Sequence, residues 1–308
     1  MEALIQAAVD IHDATLRYAE IERSGASFRL LKLGSCEFDF DMMRELSNGA
    51  QSVYLDTLSE ALHDVFAQTE ASDLHVVLHP PHCYSFFTPL LVDMNEEERK
   101  GRLQEEATML TSGDSPMPLH LTADVVFTES LASGKTVEWF HVLGMRELLH
   151  SRFDRILRTL PHRRYRFNLS TRGAARVIES LQSGPRYESA DRTAFSLAVG
   201  FYERHVEYTI CRQHRWYYSH YAEAGAPADA VYYALALLKR LQVPRASVRD
   251  LFTYGSGPHH AEAISLLSDV FQTPCLPLNP IDVVELEGRR PGDGFAAEAY
   301  APCIGAAL

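Results

Sequence analysis

The chain has 308 residues, of which 46% are hydrophobic and 23% charged, the balance expected of a soluble globular protein with room for two domains. Its formal net charge is −12, from 29 Lys and Arg against 41 Asp and Glu, which argues against non-specific nucleic-acid binding and against docking on an anionic membrane through a basic surface. No apolar run approaches the ~18 residues of a membrane span, and MEALIQAAVDIHD lacks the basic start of a signal peptide.

The first runs, Leu4–Ile11, Leu16–Glu22 and Phe28–Cys36, read as three strands with short turns at His12–Asp13 and Ser24–Gly25. Leu55, Leu58, Leu62 and Phe66 then share one helix face, and the buried-strand run Leu74–Leu78 ends at Pro80–Pro81. Tyr84–Leu90 is strand-like. Met94–Leu110 reads as a charged helix with Leu103, Ala107 and Leu110 on its apolar stripe. Leu121–Glu129 and Thr136–Leu143 form a hairpin pattern around Ser133–Gly134, and Met145–Leu160 is an amphipathic helix through Leu149, Phe153, Ile156 and Leu160. A helix carrying Ala174, Ile178 and Leu181 starts at Asn168, Ser170 or Thr171. The basic run His162–Arg166 is read at a helix C-terminus, where cations suit the dipole.

The polar stretch Ser183–Asp191 reads as a linker, and the opening pattern then repeats. Ala194–Val199, His205–Cys211 and Arg215–Tyr221 are strand-like, with turns at Gly200–Tyr202 and Gln213–His214. Val231, Leu235, Leu238 and Leu241 follow in helical phase, then the strand Leu251–Tyr254. A β-β-β-α-β unit thus occurs twice, about 190 residues apart, and two such units predict two α/β domains facing across a cleft. The segment Tyr84–Leu160 reads as a small α+β insert in the first. Gly288–Gly294 is the most loop-like stretch, and the small-residue helix predicted over Phe295–Leu308 should be buried.

Within LFTYGSGPHHAEAISLLSDVFQTPCLPL (Leu251–Leu278), Gly255, Ser256 and Gly257 join a strand to a helix opened by Pro258. Such a loop either is a plain tight turn or brings backbone N–H groups and a helix dipole to an anion. His259 and His260 follow it and fit solvent-facing positions of a first turn. The five cysteines, Cys36, Cys83, Cys211, Cys275 and Cys303, show no CxxC spacing and fit reduced thiols of a cytoplasm, with Cys303 a packing residue. His79, His82 and Cys83 in HPPHCY read as a strand exit, since the prolines extend the chain and splay the side chains. His205, Cys211 and His214 have no recognised ligand spacing. Trp216, Tyr217, Tyr218, Tyr221, Tyr232 and Tyr233 fit ordinary packing.

This element order resembles the actin-like, Hsp70-like and sugar-kinase ATPases. Within them the chain is most similar to the PilM family, the cytoplasmic actin-fold component of type IV pilus assembly, and next to the ATPase-fold domain of the secretion protein GspL. The resemblance spans nearly the whole chain. It rests on VDIHDATLRYAEIERSGASFRLLKLGSCEF, EERKGRLQEEATML, VLGMRELLHSRFDRILRTL, the GSG unit and YAPCIGAAL.

The resemblance implies an α/β fold of two actin-like domains, 1–185 and 186–308, with the α+β insert at 84–165 and helix 295–308 packing back on the first. It implies a cytoplasmic scaffold at the inner membrane that binds the N-terminal tail of a PilN-like membrane protein, with groove walls at Leu74–Leu90 and Leu103–Leu110. It also implies an ATP or ADP site with Mg²⁺, held weakly or lost, at Asp10, His12, Arg17, Gly200, Gly255, Ser256 and Gly257. Here the chain departs from the family. His12 stands where the first phosphate loop has glycine, adding bulk and strain if its φ is positive. Arg17 roughly takes the place of a phosphate-reaching lysine. Ala198 stands where the second loop has a carboxylate that helps hold Mg²⁺ or orient water. Asp191 lies at the wrong end of its strand to replace it. Efficient hydrolysis is therefore not expected. The alternatives are a working actin-fold ATPase or sugar kinase, or a nucleotide sensor unrelated to pili.

Overall fold

The computed structural model describes residues 4–48, 53–67, 69–111, 118–160, 164–183, 194–223, 225–257, 260–286, 292 and 294–308. In the first half, β1 (Leu4–His12), β2 (Thr15–Ser24) and β3 (Ser27–Glu37) form an antiparallel meander. Helices α1 (Met42–Ser47) and α2 (Tyr54–Phe66) lead to β4 (Asp73–Leu78), parallel to β1. β5 (Tyr84–Leu91), α3 (Glu96–Thr111), β6 (Leu119–Ser130), β7 (Thr136–Arg146) and α4 (Glu147–Leu157) follow. β8 (Arg164–Leu169) returns to pair with β4, and α5 (Ser170–Gln182) leaves it.

The second half runs β9 (Phe195–Phe201), β10 (His205–Arg212), β11 (Arg215–Glu223), α6 (Pro227–Arg240), β12 (Val248–Gly255), α7 (His260–Phe271) and β13 (Cys275–Pro277). β14 (Glu285–Leu286) adds to the edge of the first sheet, and α8 (Ala301–Ala307) ends the chain. Among the described residues the sheet orders are β14-β3-β2-β1-β4-β8, β11-β10-β9-β12-β13 and β5-β7-β6. Apart from β14, the first two sheets have the same order and directions, so the doubled sequence pattern is a doubled topology. The third sheet is the insert, with α3 packed through Leu103 onto Leu90, Phe140 and Val142.

β1 shows why its run is so apolar. Ala7, Val9 and Ile11 face the core beneath α1, α2 and α4, while Ala8 faces the core beneath α5 and α8. A strand covered on both faces has no polar side to present. α8 is buried throughout, and a Cβ on either Gly173 of α5 or Gly305 of α8 would collide with backbone of the other helix.

Several local expectations change. Met145 lies in β7 and the helix begins at Glu147, because the alternation of β7 runs through Met145 into the edge pairing with β6. Leu110 is exposed, and Thr111 closes the buried stripe of α3 instead. Arg164–Arg166 lie on β8 rather than at a helix end, and His162 falls outside the described residues. The last helix is shorter than predicted, preceded by a 3₁₀ turn at Ala297–Tyr300. Residues 184–191, Pro258, His259 and most of 288–294 also lie outside the described residues.

Candidate functional site

The first hairpin, the end of β4 and the start of β10 meet at one junction. Asp10 lies near the end of β1, opposite Arg17 on β2. His79 follows β4 directly. Glu207 sits on β10, opposite Gly200 on β9. His79 Nε2 lies 2.8 Å from Asp10 Oδ1, and its Nδ1 lies 2.8 Å from Glu207 Oε1. The three residues are 0–1% exposed.

An imidazole that meets an ionised carboxylate at each nitrogen must donate at both, which requires the imidazolium. Burial alone would lower the pKa of His79, but Asp10 and Glu207 outweigh it and push it up to about 10. Burial likewise works to raise that of Glu207, yet His79 and His205 hold it below the usual carboxylate range. Glu207 is further satisfied by Ser170 Oγ at 2.7 Å, at the start of α5, and by Tyr254 Oη at 2.9 Å. A carboxylate at a helix N-terminus also meets the favourable end of the dipole.

Aromatic rings fill the remaining space. The His12 ring lies 4.4 Å from that of His79 and 4.6 Å from that of Tyr202, and Tyr202 stacks on His205 at 4.8 Å. Burial, with His79 and His205 nearby, drives the pKa of His12 far down, so it packs as a neutral ring. Arg17 is buried with its guanidinium over the Tyr300 ring. Potential ligand atoms of His12, His79 and His205 lie within 4.8 Å of one another, which is the spacing of a metal site. The donor chemistry does not fit one, since both His79 nitrogens are committed to carboxylates and one positive imidazole already balances charge there.

The structure gathers most of the residues singled out in the sequence. Asp10, His12, Gly200 and the 255–257 loop meet at this junction, with Arg17 across from Asp10. Their local roles differ from those anticipated. The positive φ of the first hairpin falls on Asp13, at 48°, so His12 stays an extended strand residue. Gly200 lies under Tyr254, whose ring carbons would be 2.5 Å from a Cβ there. Gly255 has φ +92°, and Gly257 donates to the Phe201 carbonyl at 2.9 Å. A Cβ on Gly257 would stand 2.7 Å from Tyr202 backbone. Close approach to the β9–β10 turn therefore accounts for both glycines, while Ser256 is exposed.

Sequence reasoning set aside His79 and His205 and did not single out Glu207. Pro80–His82 forms a 3₁₀ turn rather than an extended exit, because Cys83 N–H closes back on the Pro80 carbonyl. The available signal was one of burial. Glu207 is a charge inside HVEYTIC, an otherwise apolar run, and His79 ends a run with no solvent-facing alternation. Glu207 lies on the strand beside Ala198, the position where the family resemblance implied a carboxylate. Of the expected groove walls, Leu74, Val76–Leu78, Leu90, Leu103 and Ala107 are buried, while Pro81, Ser85 and Pro89 of the first wall and Met109 and Leu110 at the end of α3 are exposed. A groove of about 430 Å³ does lie between insert and first sheet, lined by Thr122 and Asp124 of β6, His150 of α4, Arg166 of β8, Arg172 of α5 and His75 of β4.

No family model matches the chain, and no curated protein matches it in sequence. Its fold has solved counterparts. A chain of the structure titled PilM-PilN type IV pilus biogenesis complex superposes with a TM-score of 0.71 at 13% identity, covering 98% of this chain and 97% of that one. A protein of Bacteroides thetaiotaomicron, described as having an actin-like ATPase fold and unknown function, superposes at 0.53 with 11% identity, over 90% and 91% of the two chains. The cytoplasmic domain of EpsL, an inner-membrane component of the type II secretion system of Vibrio cholerae, superposes at 0.43 with 10% identity, over 83% of each. The first two establish that this chain has the actin-like ATPase fold, and the chain from the PilM-PilN complex matches it over nearly its full length.

Proposed function

We propose that this chain is an actin-like scaffold of a type IV pilus or secretion-type assembly platform, binding the N-terminal tail of a PilN-like inner-membrane protein and not hydrolysing ATP. The two actin-like domains are taken as 1–185, with the insert at 84–165, and 186–308. The observation that carries the reading is the Asp10–His79–Glu207 bridge. It puts a buried imidazolium and packed rings between the phosphate hairpins, where the fold's ATPases need room for phosphate and Mg²⁺. The full-length superposition on the chain from the PilM-PilN complex supports the platform role. Among the described residues no helix is long and apolar enough to cross a membrane, and in this reading the partner carries the attachment to the inner membrane.

In this reading Asp10, His12, Arg17, Gly200 and Gly255–Gly257 keep the places of nucleotide-binding residues while serving the packing of the closed cleft. ATP or ADP with Mg²⁺ binds weakly or not at all. The role is tested by co-purifying the chain with the products of neighbouring genes. Capture of a small single-span membrane protein through its cytoplasmic tail supports it, and loss of capture in Leu110→Ser tests the open end of α3. Phosphate release from ATP and Mg²⁺ well above a heat-killed control would replace the scaffold with an ATPase. Heat on titration with ADP in a chain that captures no membrane partner would replace it with a nucleotide sensor.

A further inference from the structure

The groove between the insert and the first sheet carries a charge opposite to that of the chain. Four arginines line it, Arg158, Arg166, Arg172 and Arg176, against two acids, Asp124 and Asp154. Both acids are already engaged. Asp124 pairs with Arg172 at 3.2 Å, and Asp154 pairs with Arg158 at 2.8 Å and accepts from Tyr165. Among the described residues Arg166 and Arg176 make no ion pair, and Arg176 has its pKa lowered by burial and by Arg172 beside it. A chain of net charge −12 thus gathers uncompensated positive charge at one groove.

Hydrogen bonding points the same way. His75 is 5% exposed, and its Nδ1 lies 2.7 Å from Asn168 Nδ2. Burial, then Arg176, pull its pKa down to about 4, so it is neutral, and with Nδ1 accepting, its proton sits on Nε2. That Nε2 has no acceptor among the described residues. A buried donor without an acceptor is costly, and one beside a groove lined by arginines calls for an incoming oxygen.

The backbone defines the shape of the guest. β8 is the edge of the first sheet and β6 the edge of the insert's sheet, and both border the groove. Open strand edges receive extended peptide by main-chain pairing, with alternate side chains directed into the pocket. We propose that this groove takes an extended segment of a partner polypeptide carrying acidic side chains, whose carboxylates accept from Arg166, Arg172, Arg176 and His75. This rests on the partner-tail reading above and names the chemistry of the tail.

The test uses two fluorescein-labelled peptides of one alternating leucine and alanine host, with glutamate in one and glutamine in the other at the same positions. Fluorescence polarisation with the full chain at low salt should show the glutamate peptide binding about tenfold tighter, a gap that closes near about 0.5 M salt. Arg166→Glu, at an exposed position that leaves the fold intact, should abolish the preference. His75→Gln should reduce it, with unchanged thermal unfolding as the control for folding. Equal binding of the two peptides, no binding of either, or an unaltered preference in Arg166→Glu overturns the proposal. A membrane partner captured equally by wild type and Arg166→Glu leaves the scaffold standing and sinks the acidic groove. Glutamate-selective binding in a chain that captures no membrane protein does the reverse.

Discussion

His79 and Glu207 stand 128 positions apart in the chain and 2.8 Å apart in space, joining the end of β4 to the central part of the second sheet. The bond is buried, charge-assisted and shared, since the same ring also holds Asp10. It ties together the two copies of the repeated unit.

Replacing His79 by glutamine removes the positive charge and leaves Asp10 and Glu207 buried without it. Breaking a buried pair in this way costs about 3–5 kcal/mol. Urea unfolding of His79→Gln should show that loss. A change below about 1 kcal/mol would mean that solvent reaches the junction.

The histidines set a pH dependence with two limbs. His79 has a folded pKa raised from 6.5 to about 10, so its contribution is complete below 6.5 and is lost as pH rises through that interval. His12, His75 and His141 have lowered folded pKa values, each mainly through burial. In the unfolded chain they take up protons below about 6.5 that the folded chain refuses, so each removes about 1.4 kcal/mol per pH unit as pH falls. Melting temperature should therefore peak near pH 6.5 and fall more steeply on the acid side. His79→Gln should flatten the alkaline limb and leave the acid limb.

The glycines of the GSG loop can be tested without any ligand. Gly257→Ala places a methyl group against Tyr202 backbone, and Gly255→Ala strains a φ of +92° as well. Each should cost about 1–3 kcal/mol in thermal or urea unfolding. An unaffected Gly257→Ala would return that glycine to a ligand role.

The three converging histidines give a further discriminating experiment. With both His79 nitrogens held by carboxylates, added Zn²⁺ or Ni²⁺ should leave the melting temperature unchanged, as should EDTA treatment of the purified protein. Metal retained through purification, with a fall in melting temperature on chelation, would show that His79 gives up one carboxylate to a cation.

The elements were legible in the sequence where burial was uniform. The runs that became β1, β4, β9 and β12 are apolar because both faces are covered, and the α2 and α4 helices carry one apolar stripe each. Legibility failed where one residue's surroundings decided its role. Leu110 keeps helical phase with Leu103 and Ala107 yet stands in solvent, because the insert's small core ends before it. Met145 fits a helix pattern and a strand pattern alike, and pairing with β6 settled it.

Sequence alone determined the doubled unit and the insert between its copies, because periodicity and turns are local properties. Tertiary structure decided what became of the cleft. Glu207 comes to the site through the register of β9 with β10, and His79 through the pairing of β4 with β1 and the turn after it. Neither register is written in the spacing of the residues involved. A charge buried far from its partner in the chain is explained only once folding has brought that partner within hydrogen-bond reach.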